Sequence, residues 1–272
     1  MFTMQRAASD GYDSEMSDPQ RNDLDLKAGD DHYRAYVGPP GDYDLVAVMS
    51  FSLLGALGLR QQHKVLDIGC GSLRVGRLLM PYLDRGNYVG VEPNAWLVKE
   101  GIEQEVGESL VAIKAPSFIY SDAPGSVVAE GPYDFILAQS IFSHTGPDLL
   151  DEWLQVVSQV LSTGGMVVAT YLLGEDDLAD GWVYPGCVVY SRERLESMST
   201  RHGLSVALLD WRHPRQAWVA LHRASEPAPA LRRPLSWNAF LESQMTPPQH
   251  WSAVDRELGA SSPRSVRPWW TH

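Results

Sequence analysis

The chain has 272 residues, is 44% hydrophobic and carries a formal net charge of −12. That is enough apolar material for one substantial core with extensions, and the acidic balance argues against a nucleic-acid partner, which needs a basic face. Two cysteines, Cys70 and Cys187, no His/Cys/Asp group at metal-ligand spacing and no apolar run of membrane-spanning length predict a reduced, cytoplasmic protein without bound metal.

Residues 1–30 are acidic and lack apolar periodicity, so they are expected to be disordered. The first 45 residues hold ten acids against four bases, which is half of the net charge. Residues 31–60 read as an N-terminal cap. An aromatic stretch, HYRAYVGPPGDYD (His32 to Asp44), precedes an apolar helix from Leu45 to Leu59, with Asp42 or Asp44 as its cap and Gly58 as its stop.

The stretch KVLDIGCGSLRVGRLLM (Lys64 to Met80) changes period twice. Val65, Leu66 and Ile68 make a buried strand, Gly69 and Gly71 force a sharp turn, and Val75, Leu78, Leu79 and Tyr82 fall at helical spacing. A strand–glycine–helix unit presents backbone N–H groups and a helix start to a ligand. A dinucleotide site would use G-x-G-x-x-G, but Arg74 interrupts that pattern, and the Asp67 carboxylate would face two phosphate charges. A cationic ligand reverses the sign. The sequence DIGCG therefore resembles the glycine motif of the class I S-adenosylmethionine (SAM)-dependent methyltransferases.

Further landmarks follow in order. NYVGVE (Asn87 to Glu92) is a second strand ending in an acid 25 residues beyond Asp67, the spacing at which a carboxylate meets ribose hydroxyls. Pro93 and Asn94 open a helix through Val106. SFIY (Ser117 to Tyr120) is a third strand, YDFILAQ (Tyr133 to Gln139) a fourth, and Met166 to Leu172 a fifth. A helix from Gly146-Pro147 to Leu161 lies between the last two, stopped by Thr163-Gly164-Gly165. After an acidic loop, GEDDLADGWVYP, Ser191 caps a helix that ends at Gly203, and Ser205 to Trp211 and Gln216 to His222 form a closing strand pair.

This order predicts an α/β fold, a doubly wound, mostly parallel sheet of seven strands with a helical cap in front. The resemblance covers roughly Leu45 to Arg223 and places the SAM-binding domain at residues 61–224. Residues 225–272 form an extension holding four of the nine tryptophans, with Ser236 to Met245 and Gln249 to Leu258 at helical spacing; it is either a lid or the contact of a homodimer.

The resemblance implies SAM as the cofactor, held by Asp67, Gly69, Gly71, Arg74, Glu92, Asn94, Asp122 and Gln139. Asp122 takes the position that accepts a hydrogen bond from the adenine amino group, although an Asp in a loop also serves to form a turn. Tyr33, Tyr36, Phe142 and Trp182 are expected to line the acceptor pocket or its lid. His144 follows the fourth strand and is the candidate general base, or else a wall of the pocket. The fourth strand runs out as AQSIFSH, unlike the Asn/Asp-Pro-Pro-aromatic sequence of enzymes that methylate nucleobase amino groups. A small-molecule acceptor methylated on oxygen or nitrogen is expected. A nicotinamide-dependent oxidoreductase and a non-catalytic SAM-binding scaffold are the alternatives.

Overall fold

The computed structural model describes residues 25–231. Of the stretch expected to be disordered (residues 1–30), residues 1–24 lie outside the described residues, as do the two tail helices, while residues 25–30 are described, with the Gly29 N–H donating to the Ala35 carbonyl at 2.8 Å. Seven strands form one sheet in the order β3-β2-β1-β4-β5-β8-β7, where β1 is Val65–Ile68, β2 Tyr88–Val91, β3 Ser117–Ile119, β4 Tyr133–Ala138, β5 Leu161–Leu173, β7 Leu204–Leu208 and β8 Ala217–Arg223. A two-residue strand, β6 (Val189–Tyr190), pairs with the far end of β5. Strands β1 to β5 run parallel to one another, and β8 runs antiparallel between β5 and β7.

All four residues of β1 are buried because helices cover both faces. Leu66 and Ile68 enter one apolar cluster, with Trp153, Leu154 and Val157 of α5 (Pro147–Val160). Val65 enters the other, with Met49, Leu53 and Leu57 of α1 (Tyr43–Leu57) and Leu79 of α2 (Gly76–Tyr82). Side chains of this size each stabilise the fold by about 1.5–3 kcal/mol when fully buried. The two clusters fix the sheet edge on which the loops converge.

Several boundaries differ from the sequence reading. Asp42 does not cap α1 with its side chain; it is drawn instead into an ion pair with Arg215, while Asp44 pairs with Arg77. Helix α3 (Ala95–Gly101) continues as a π-turn, Ile102–Val106, and is followed by an unexpected α4 (Glu108–Lys114). No residue of α4 is buried, so it left no apolar stripe to read. Helix α5 stops at Val160, ahead of the glycine pair, and β5 begins at once. Ser191 caps α6 (Arg192–Arg201) as expected, its Oγ accepting the Arg194 N–H at 3.3 Å.

Candidate active site

Strand order reverses between β1 and β4, and a crevice opens where neighbouring connections leave in opposite directions. The glycine turn borders it on one side and Gln139 on the other. Gly69 and Gly71 have φ of +65° and +54°, values that L side chains rarely adopt. Space excludes a side chain as well. A Cβ on Gly69 would lie 2.2 Å from Ile141 Cδ1, and one on Gly71 would lie 2.6 Å from Val37 Cγ1. Buried Leu73 also holds a positive φ, +62°, a conformation costing about 1–2 kcal/mol for an L residue.

Three charged groups meet here, all buried. Glu92, at the end of β2, accepts the Gly71 N–H on Oε2 at 3.2 Å, and the Asn94 N–H and side-chain amide on Oε1 at 2.9 and 2.8 Å. Burial raises its pKa, opposed by the hydrogen bonds from Asn94 and Gly71. Asp67 accepts the Tyr88 hydroxyl at 2.8 Å, and burial pushes its pKa up to about 7 against the pull of that bond and of Arg74. Arg74 donates to the Val37 carbonyl at 3.0 Å and to Gln139 Oε1, and burial lowers its pKa to about 10.

Gln139 belongs to a network that sequence reasoning missed. Its Nε2 lies 2.9 Å from Ser140 Oγ and 3.3 Å from Nε2 of buried His213. Ser140, at φ +59°, donates its N–H to Thr170 Oγ1 at 2.7 Å, and Gln216 donates to both Ser140 and Ser143. Only pairing of β8 against β5 brings residues 213–216 to this edge, and no local pattern signals that pairing.

His144 lies in a 3-10 turn after β4 (Phe142–His144), with Nδ1 2.6 Å from the Gly186 carbonyl. That contact requires Nδ1 to carry the proton, so Nε2 keeps its lone pair. Burial lowers the pKa of this imidazole. Its ring meets Tyr184 and Trp182 at 5.0 and 5.7 Å, and Tyr184 meets Tyr36, which meets Trp96 edge-on at 5.2 Å. Trp182 is half exposed at the outer end of this aromatic row. Tyr184 and Trp96 were not anticipated, because only the folded chain sets them against Tyr36.

Other expected residues fall elsewhere. Phe142 is buried in the core with α5, where the 3-10 turn points it inward, so it lines no open pocket. Tyr33 donates to Glu105 on the π-turn at 3.1 Å and packs edge-on to Tyr43, which places it in the seam holding the N-terminal segment down. Asp122 is exposed in the bend after β3. Among the described residues there is no metal-binding group of three or more His, Cys, Asp or Glu, and no helix is long and apolar enough to cross a membrane.

The donor set suits a ligand with a cation, a carboxylate and a diol. The space does not yet admit one. The cavity bounded by Val37, Asp67, Gly69, Cys70, Arg74, Val75 and Gln139 measures ≈ 20 Å³, room for about one water molecule. Val37 lines it and packs against Gly71, and Ile141 packs against Gly69.

A family model described as a methyltransferase domain matches residues 66–167, from β1 into β5. Among solved structures, a magnesium protoporphyrin IX methyltransferase from Synechocystis PCC 6803 with bound SAM is 14% identical, at a TM-score of 0.52 over 68% of this chain and 81% of that one. A SAM-dependent methyltransferase from Leishmania major reaches 0.55 at 16% identity, over 74% and 80%. A mitomycin 7-O-methyltransferase reaches 0.54 at 16% identity, over 70% and 56%. At such identities the structures speak for the fold, and the matched model speaks for the domain that occupies it. Residues 66–167 thus match a methyltransferase domain, set in a fold shared with solved SAM-dependent methyltransferases.

Proposed function

We propose that this chain transfers a methyl group from SAM to an oxygen or nitrogen of a small-molecule acceptor. The observation that carries the reading is the bond between Glu92 and the Gly71 N–H, which sets a strand-end carboxylate against the glycine turn. In this reading Glu92, oriented by Asn94, accepts from the ribose hydroxyls. Asp67 faces the ammonium group of the cofactor's methionyl end and Arg74 its carboxylate. When bound, SAM supplies an electrophilic methyl group next to a good leaving group. The chain then has to align the acceptor and exclude water.

His144 is the proposed base. Its Nδ1–H is committed to Gly186, its Nε2 is basic, and its lowered pKa keeps it neutral at neutral pH. Trp182 and Tyr184 would flank the acceptor, and Val37 must shift before the cofactor can enter. The protoporphyrin and mitomycin enzymes act on small molecules, which supports that acceptor class here. A cytoplasmic setting, with Cys70 and Cys187 as thiols, is part of the proposal, as is a lid or dimer contact formed by residues 225–272.

Calorimetry with SAM and a radiolabelled-methyl assay on a panel of hydroxy and amino compounds test the reading. Glu92→Ala should weaken SAM binding at least about tenfold, since a charge-assisted hydrogen bond is worth about 1.5–3 kcal/mol. Unchanged affinity in both Glu92→Ala and Gly71→Val would sink it.

A further inference from the structure

We infer that Tyr88 is a positioning residue for the cofactor: its buried hydroxyl holds Asp67 in one orientation, as the carboxylate, toward the ammonium group of SAM. The inference rests on the reading that Asp67 faces that ammonium.

The geometry is specific. Strands β1 and β2 pair in parallel with Val65 opposite Tyr88 and Asp67 opposite Gly90, so Tyr88 and Asp67 are diagonal neighbours on one face of the sheet. The Tyr88 hydroxyl crosses that diagonal and donates to Asp67 Oδ2 at 2.8 Å. Both residues are almost wholly buried. Two glycines keep the path clear. A Cβ on Gly76, at the start of α2, would lie 2.5 Å from the Tyr88 hydroxyl oxygen, and one on Gly90 would lie 2.8 Å from Cys70 Sγ. Phe118 of β3 packs edge-on against the Tyr88 ring at 6.2 Å.

Three groups act on Asp67: Tyr88 from β2, Glu92 just beyond it and Arg74 after the glycine turn; Asp67 in turn helps to raise the pKa of the buried Cys70 thiol. Tyr88 and Arg74 favour the charged form, whereas Glu92 and burial oppose it. Arg74 is also held by the Val37 carbonyl and Gln139, leaving Tyr88 as the group bonded directly to the carboxylate. One oxygen is thereby fixed, and Asp67 lines the cavity that it shares with Arg74. A carboxylate serving only the fold would gain nothing from charge at this depth. One that must meet a cation needs a donor that favours ionisation.

The test is SAM affinity by calorimetry between pH 6 and pH 8.5, in the wild type and Tyr88→Phe, with 5′-methylthioadenosine, which lacks the methionyl ammonium, as the control ligand. The ratio of the two SAM affinities cancels the cofactor's own titration. Tyr88→Phe should bind SAM about tenfold more weakly at pH 7, the loss should shrink as pH rises, and methylthioadenosine should bind both proteins alike. A ratio independent of pH, an equal loss for methylthioadenosine, or no loss at all overturns the inference and makes Tyr88 a packing residue. Gly76→Ala, which crowds the hydroxyl while keeping the ring, should reproduce the pattern and serves as well should Tyr88→Phe not fold. Asp67→Asn separates the two levels of the argument. If it leaves SAM affinity intact, the reading of Asp67 fails. If it weakens SAM while Tyr88→Phe does not, only the role of Tyr88 fails.

Discussion

The Tyr184 hydroxyl donates to the backbone carbonyl of Tyr36, tying the loop after β5 to the segment that covers the glycine turn. The two rings also touch, with centroids 5.8 Å apart. One loop thus flanks the proposed acceptor mouth and holds shut the proposed cofactor pocket. Tyr184→Phe should release the cover, so that SAM associates several-fold faster in stopped-flow fluorescence while kcat falls. An unchanged association rate would mean that the cover opens without breaking this bond.

Glu105 anchors the same segment from the other side. Its carboxylate, 7% exposed, accepts from Arg34 at 2.7 Å and Arg77 at 3.0 Å. Glu105→Gln leaves both guanidiniums facing a neutral amide, and should cost about 1.5–3 kcal/mol of the segment's attachment. Limited proteolysis should then cut within residues 25–42 well before the sheet yields, with the melting temperature only modestly lower. A cleavage pattern like the wild type's would show that the aromatic contacts suffice.

Asp67 sets a pH dependence of stability whose sign is fixed by burial. Its folded pKa of about 7 lies above the ordinary carboxylate value of about 4, so the folded state holds its proton more tightly than the unfolded chain. Stability from this group is full below pH ~4 and is lost as pH rises through about 7, by up to about 4 kcal/mol. Asp67→Asn should remove that slope and raise the melting temperature at pH 8, while weakening SAM binding. A variant less stable than wild type at pH 8 would contradict the assignment.

His144 supplies a prediction in the rate. Burial lowers its pKa, so the basic form is lost only in acid: kcat should be flat near neutrality and fall below the ordinary histidine value of about 6.5. His144→Asn should reduce kcat by about 10²–10⁴ and remove that acid limb, with little change in SAM affinity. A variant retaining wild-type kcat and profile would reduce His144 to a wall of the pocket.

The sheet was legible because β1, β2 and β4 are short apolar runs bounded by turn residues, and because DIGCG sets the first of them in a known order. Asp67, Glu92 and Gln139 could be placed for the same reason: each sits at or just beyond a strand end, where the parallel fold gathers them. Tyr88 was not, since a Tyr at the start of a strand reads as plain core until its hydroxyl is seen on Asp67. Phe142 misled because two neighbours in one loop, Phe142 and His144, face opposite ways, and a one-residue rotation of a 3-10 turn leaves no trace in composition. Tyr184 and Trp96 are separated from Tyr36 by scores of residues, and only the folded chain makes them neighbours.

Because β8 runs against the other strands, it starts where they finish. Residues 213–216, far along the chain from the glycine turn, therefore arrive at the crevice as the lead-in to that strand and brace Gln139, Ser140 and Ser143. The reversal gives selection a second handle on acceptor preference. Exchanges at Gln216 would act on Ser140 and Ser143 while leaving Asp67, Arg74 and Glu92, the groups proposed to hold the cofactor, untouched. Related chains that keep DIGCG yet methylate different compounds would be expected to diverge there first.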